Sequence, residues 1–215
     1  MLIDLSHAIE DGMRVYPGLP IPRVGASADH DASRPRYEGK AEFHLGEYSF
    51  TGAAGTYLDS PFHRHRELGD LASLPLEGLV GLPGVVLDHR AGEDRRFDAD
   101  VVREELPGRA VILRTGWSAR WGTDGYWEAG PFLAGPLLER LVEAPVAIVG
   151  IDIWNIDDVD DLTRPAHTGL LAAGIPIVEN LASLERLPRS GFRFTAVPPR
   201  VVGGSNFPVR AFAEV

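Results

Sequence analysis

Two stretches of the chain carry residue types that chemistry needs. The first reads Ala53-Ala-Gly-Thr-Tyr57-Leu-Asp59-Ser-Pro-Phe-His63. Asp59 and His63 flank Pro61, in a segment too marked by Gly and Pro for a regular helix. A loop of this kind aims polar side chains into a pocket. The spacing also fits a plainer arrangement, with Asp59 capping a turn and His63 at the surface beside Arg64 and His65. The second stretch runs from His167 to Glu179, with apolar residues between them. Glu179 ends an Ile-Pro-Ile-Val run, where a buried carboxylate is costly without an ionic partner. Together Asp59, His167 and Glu179 offer the oxygen and imidazole donors that suit one Zn²⁺ or Mn²⁺ ion.

The elements that must position these residues read as strands alternating with short helices. Residues 2–5, 41–50, 84–88, 109–114, 146–152, 175–179, 193–197 and 209–213 have strand character. Residues 71–79, 98–105, 137–142 and 166–173 read as short helices, the second with Asp98 as its N-cap. Pro17, Pro20 and Pro22 keep residues 15–22 extended or turning, and residues 29–40 read as a mobile polar loop. The pattern predicts an α/β or α+β class with a mixed sheet. Trp117, Trp121, Tyr126 and Trp127 cluster in a Gly-rich region. With Tyr16, Trp117 and Trp121 could wall a flat apolar substrate pocket, or simply pack.

Composition narrows the function. The chain has 215 residues, 44% of them hydrophobic, which is enough for a real core. A formal charge of -10 disfavours nucleic acid and anionic membrane surfaces as partners. The absence of cysteine excludes thiolate zinc sites, iron–sulfur clusters and thiol nucleophiles. The start, Met-Leu-Ile-Asp-Leu-Ser-His, lacks a signal-peptide pattern, and no apolar run reaches the roughly 20 residues of a membrane span. A soluble cytoplasmic protein acting on a small molecule is the expectation.

The first stretch resembles the signature of the putative cyclase family, whose best-known members are bacterial kynurenine formamidases and isatin hydrolases. That signature reads His-x-Gly-Thr-His-x-Asp-x-Pro-x-His. Further blocks are similar in the same order: Ile3-Asp-Leu-Ser-His7, Tyr16-Pro-Gly-Leu-Pro20, Leu113-Arg-Thr-Gly-Trp117, Gly150-Ile-Asp152, and His167 followed by Gly174-Ile-Pro-Ile-Val-Glu-Asn180. The resemblance covers nearly the whole chain. It implies a single compact α/β domain over residues 1–215, with a central mixed β-sheet or barrel-like core flanked by helices, of the swivelling β/β/α type. It also implies dimers or tetramers.

By the same resemblance, Asp59 and Glu179 are carboxylates that bridge two metal ions, His167 binds the second ion, and His63 is the catalytic acid and base. The first two signature histidines are here Ala53 and Tyr57. Alanine has no donor atom, so one of the two ion sites is dismantled. Two chemistries follow. A single ion on Asp59, His167 and Glu179 would serve hydrolysis of a small amide, lactam or lactone, of the kind that opens tryptophan catabolism. His63 would move the proton and Tyr57 would orient substrate or oxyanion. A metal-free site would instead use the same groups as acid and base, for cyclisation, dehydration or isomerisation. A non-catalytic binding homologue is the third reading.

Overall fold

The computed structural model describes residues 1–89, 95–97, 102 and 105–215. In chain order its strands and α-helices are β1 (Leu2–Asp4), β2 (Arg23–Ala28), α1 (His30–Ser33), β3 (Leu45–Ser49), β4 (Tyr57–Asp59), β5 (Leu82–Asp88), β6 (Arg96–Phe97), β7 (Ala110–Arg114), β8 (Phe132–Leu133), α2 (Gly135–Glu143), β9 (Ile148–Ile151), α3 (Pro165–Ala172), β10 (Ile177–Glu179), β11 (Ser190–Thr195), β12 (Asn206–Pro208) and β13 (Phe212–Glu214).

Nine strands form one mixed sheet in the order β1-β13-β11-β5-β7-β9-β10-β4-β12. Its centre, β5-β7-β9-β10, is parallel, and both flanks are antiparallel. Ser6, just after β1, bridges Leu181, just after β10. In a flat sheet those strands would stand six spacings apart, roughly 29 Å at about 4.8 Å each. The sheet therefore curls into a half-barrel.

The curl separates two apolar layers, because successive strand residues face opposite ways. Val85, Leu87, Val111, Leu113, Val149 and Ile151 point outward to Leu137 and Leu141 of α2 and Leu170 and Leu171 of α3. Val86, Ile112, Ile148 and Val178 point into the curl, with Ile3, Leu5 and Phe194. Close approach inside the curl explains Gly150: a Cβ there would lie 2.6 Å from Leu181 Cδ1. This is the α/β fold with a mixed, barrel-like sheet flanked by helices that the sequence led us to expect.

Several local expectations are corrected. Residues 29–40 are not a bare loop: Asp29 caps α1 by accepting from the Ala32 N–H at 2.8 Å, and Pro35 starts a 3₁₀ turn, Arg34–Tyr37. Residues 71–79 reduce to one 3₁₀ turn, Leu76–Gly78, because Pro75 fixes its entry. Tyr57–Asp59, read as loop, is a strand paired with β10 on one side and β12 on the other. The helix expected at 98–105 falls mostly outside the described residues. Among the described residues, no helix is long and apolar enough to cross a membrane.

Candidate active site

Two adjacent strands carry the carboxylates. In the antiparallel β4–β10 pair, Tyr57 lies opposite Glu179 and Asp59 opposite Ile177. Tyr57, Asp59 and Glu179 are all buried. Past Asp59 the chain makes a one-turn 3₁₀ helix, Pro61–His63, that turns the His63 ring back over the strand end. His167 comes from the first turn of α3 and packs its ring 5.8 Å from that of His63.

Asp59 is the most exceptional group. Both of its carboxylate oxygens are buried without a hydrogen-bond partner. Such a group costs several kcal/mol, roughly, unless something positive meets it. Two imidazoles face it: His63 Nδ1 stands 3.7 Å from Oδ1 and His167 Nε2 3.8 Å from Oδ2. Asp59, His63 and His167 each offer one ligand atom within 4.8 Å of the others. A divalent cation with bonds near 2 Å fits between atoms so spaced.

His167 is held for that purpose. Its Nδ1–H donates to Asp157 Oδ2 at 2.6 Å, which leaves Nε2 aimed at the carboxylates. Asp157 is itself fixed, accepting from the Ala166 N–H at 2.6 Å. A carboxylate behind the imidazole is the usual support of a metal-binding histidine. Without a metal, burial would lower the pKa of His167. The nearby Glu179 carboxylate, the Asp157 hydrogen bond and Asp59 overcome that and raise it to about 10.

Glu179 differs from Asp59. Its Oε1 accepts from the Ile156 N–H at 2.7 Å and stands 3.5 Å from His167 Nε2. Its Oε2 accepts from the Tyr57 hydroxyl. Burial pushes the Glu179 carboxyl up, and burial with the adjacent Glu179 and Asp59 pushes the Tyr57 phenol far up. Tyr57 therefore stays protonated and is a donor. Its single O–H is committed to Glu179 rather than to the open cavity. Burial, first of all, lowers the His63 pKa, so its imidazole is neutral and able to accept a proton.

The site opens into a cavity of about 260 Å³, lined by Tyr16, Ala53, Tyr57, His63, Arg64, Trp154, Arg164, His167 and Glu179 among others. Tyr16 lines this cavity, with its ring 5.2 Å from that of Trp154. Trp117 and Trp121 do not. Gly116, in the left-handed region, turns the chain after β7, and β9 separates β7 from β10 in the sheet. Trp121 consequently stacks on His7 at 3.8 Å, beside a second cavity of about 950 Å³. The Trp117 indole N–H donates to the Tyr126 carbonyl.

Sequence reasoning missed Asp157, Trp154, Arg64 and Arg164. The signal for Asp157 was available in the acidic run before α3, ten residues ahead of His167. Arg34 and Arg36 do not line this cavity: Arg34 is near Glu42 and Arg36 is over Phe43.

Comparison with known proteins agrees with the fold. Residues 3–158 match the family model described as "Putative cyclase". A kynurenine formamidase of Salinibacter ruber is 30% identical over 218 residues, covering 98% of this chain and 95% of that protein. One of Geobacillus thermodenitrificans is 27% identical, covering 97% and 95%. Among solved structures, an isatin hydrolase bound to the product analogue thioisatinate superposes with a TM-score of 0.85 at 21% identity, covering all of this chain and 92% of that one. Isatin hydrolase A from Labrenzia aggregata gives a TM-score of 0.84 at 22% identity, covering 99% and 93%.

Proposed function

The chain belongs to the putative cyclase family, and from that premise we propose that it hydrolyses the C–N or C–O bond of a small amide, lactam or lactone at a site reduced to one divalent ion. The observation that carries the reading is Asp59, a buried carboxylate with no hydrogen-bond partner, faced by two imidazoles. Asp59 and His167 would hold the Zn²⁺ or Mn²⁺, with Glu179 Oε1 beside them. Such an ion, when bound, polarises a carbonyl and acidifies water.

The protein groups divide the remaining work. His63 is neutral and reaches the cavity, so it takes a proton from the attacking water and returns it to the leaving nitrogen or oxygen. Asp157 fixes the His167 ring. Tyr57 holds Glu179 Oε2 and so orients the carboxylate. Trp154 and Tyr16 hold the flat part of the substrate and keep water out.

The named relatives supply the first substrates to try. An N-formyl aryl amide of the kynurenine type would place the enzyme in tryptophan catabolism in the cytoplasm. We take the working form to be a dimer or tetramer. The β2–β3 ribbon stands apart from the main sheet with Leu45 and Tyr48 more than half exposed, and a two-stranded ribbon is marginal alone. Light scattering after size exclusion reads that directly.

A second reading has its own observation. The Tyr57–Glu179 hydrogen bond and the His167–Asp157 pair already form a protonated network without an ion. That network could act as acid and base in a cyclisation, dehydration or isomerisation. Elemental analysis of protein purified without chelator, followed by Zn²⁺ and Mn²⁺ add-back, separates the two. About one ion per chain supports the hydrolase. No ion after add-back overturns it.

A further inference from the structure

We infer that Arg64 and Arg164 form a seat for a negatively charged group on the substrate, so that the cavity selects an anionic amide or lactam with a flat apolar body. The inference rests on the reading of this cavity as the place where substrate is held.

Both arginines line the cavity; Arg64 directly follows His63, and Arg164 stands three residues before His167. They also lie close to one another. Arg64 Nη2 stands 3.4 Å from the carbonyl of Thr163, the residue before Arg164, and 3.4 Å from the Thr168 hydroxyl. Arg164 Nη1 donates to the Asp158 carbonyl at 2.7 Å. These contacts aim the guanidiniums but leave their charge unmatched. Among the described residues, no carboxylate lies within 4.0 Å of either, although exposed Asp161 feels Arg164 from further off.

Among the described residues, Arg14, Arg34, Arg95, Arg114, Arg120 and Arg210 each have a carboxylate within 4.0 Å, whereas others, such as Arg36 over Phe43 and Arg200 on the Ala72 carbonyl, have none. What sets Arg64 and Arg164 apart is their place, side by side at one cavity. Two arginines without carboxylate partners, together at the mouth of one cavity, await a partner from outside. A guanidinium presents a planar fork of donors that matches a carboxylate.

The charge layout also fixes how the substrate enters. Glu179 lines the inner end of the cavity and Asp59 is buried close behind it, across His167, and these carboxylates repel an anion. The arginines attract it to the rim. A substrate carrying both a carbonyl and a carboxylate is thus turned so that the carbonyl faces His63 and His167. Tyr16 and Trp154, 5.2 Å apart, supply the wall for its flat body.

The test compares formanilide with 2-formamidobenzoate, which differ by one carboxylate. Binding is followed by tryptophan fluorescence and turnover by formate release, on wild type, Arg64→Gln and Arg164→Gln. We expect the acid to bind at least about tenfold tighter than the neutral amide, and each substitution to weaken the acid about tenfold while leaving formanilide unchanged. Arg64→Gln is the decisive variant, because that side chain makes only long contacts within the fold. Arg164→Lys, which keeps the charge, should recover part of the affinity. Equal binding of the two compounds, or acid affinity unaltered in Arg64→Gln, overturns the seat. Arginine-dependent binding of the acid with no formate released would uphold the seat and sink the hydrolase reading. Hydrolysis of both compounds at equal rates would do the reverse.

Discussion

The Tyr57 hydroxyl donates to Glu179 Oε2 across a register pair of the β4–β10 ladder. Both side chains are buried, and each is the other's neighbour by backbone pairing rather than by chance contact. Tyr57→Phe keeps the ring and removes the donor, leaving a buried carboxylate oxygen unmet. We expect a loss of about 1–3 kcal/mol. For a chain of this size that is a fall in Tm of roughly 2–4 °C per kcal/mol, read by calorimetry. An unchanged Tm would show that water replaces the hydroxyl and that Tyr57 does not hold Glu179.

Ion binding and proton transfer should separate by residue. Asp59→Asn removes the charge that two imidazoles face and is expected to abolish ion uptake, measured by elemental analysis. His63→Ala should keep the ion and lose about 10²–10⁴ in kcat, the usual worth of a general acid or base. Loss of the ion in His63→Ala would instead make His63 a ligand, as its 4.8 Å grouping with Asp59 and His167 permits.

Asp157 touches neither the cavity nor the other carboxylates, yet it orients His167. Asp157→Asn preserves shape and weakens the grip on Nδ1. Metal affinity should drop about 10–100-fold, read by competition with a chelating dye. Affinity equal to wild type would mean that α3 alone fixes the ring.

His7 makes stability depend on pH. It is stacked on Trp121, its Nε2 is buried without a partner, and burial lowers its pKa from 6.5 to about 4. Between those values the unfolded chain binds the proton and the folded chain resists it. Its contribution is therefore present above about pH 6.5 and is lost as pH falls toward about 4. Urea unfolding of wild type and His7→Phe across that window should show a shallower pH slope in the variant. Parallel slopes would remove His7 as a cause.

Gly150 tests the curl of the sheet. Its added Cβ would meet Leu181 Cδ1 at 2.6 Å and Ile112 Cδ1 at 3.0 Å. Gly150→Ala should cost roughly 1–3 kcal/mol by overpacking. A neutral result would mean that Leu181 swings aside freely.

Much of this molecule was legible in its sequence. The buried strands around Val86, Ile112 and Val149 announce themselves as continuous apolar runs, since a strand covered on both faces needs apolar residues on both. Glu179 stood out as a carboxylate ending an apolar run and Asp59 and His63 as polar groups in a Gly- and Pro-marked segment, and it was the resemblance to the cyclase signature that joined them with His167 in one site. Sequence could not say what each carboxylate meets. Asp59 and Glu179 lie 120 positions apart with similar surroundings, yet one is left unpartnered and the other is held by Tyr57 and the Ile156 amide. Strand register decides that, and a three-residue strand such as Tyr57–Asp59 carries too little periodicity to reveal its register. Sequence also grouped Trp117 and Trp121 with Tyr16 because all are aromatic. The strand order parted them, since the order in which parallel strands lie side by side is set by the packing of the whole sheet and leaves no local mark on the chain. Arg64 and Arg164 joined the site for the same reason: a hundred residues separate them, and only the approach of α3 to the turn after β4 brings their charges to one cavity.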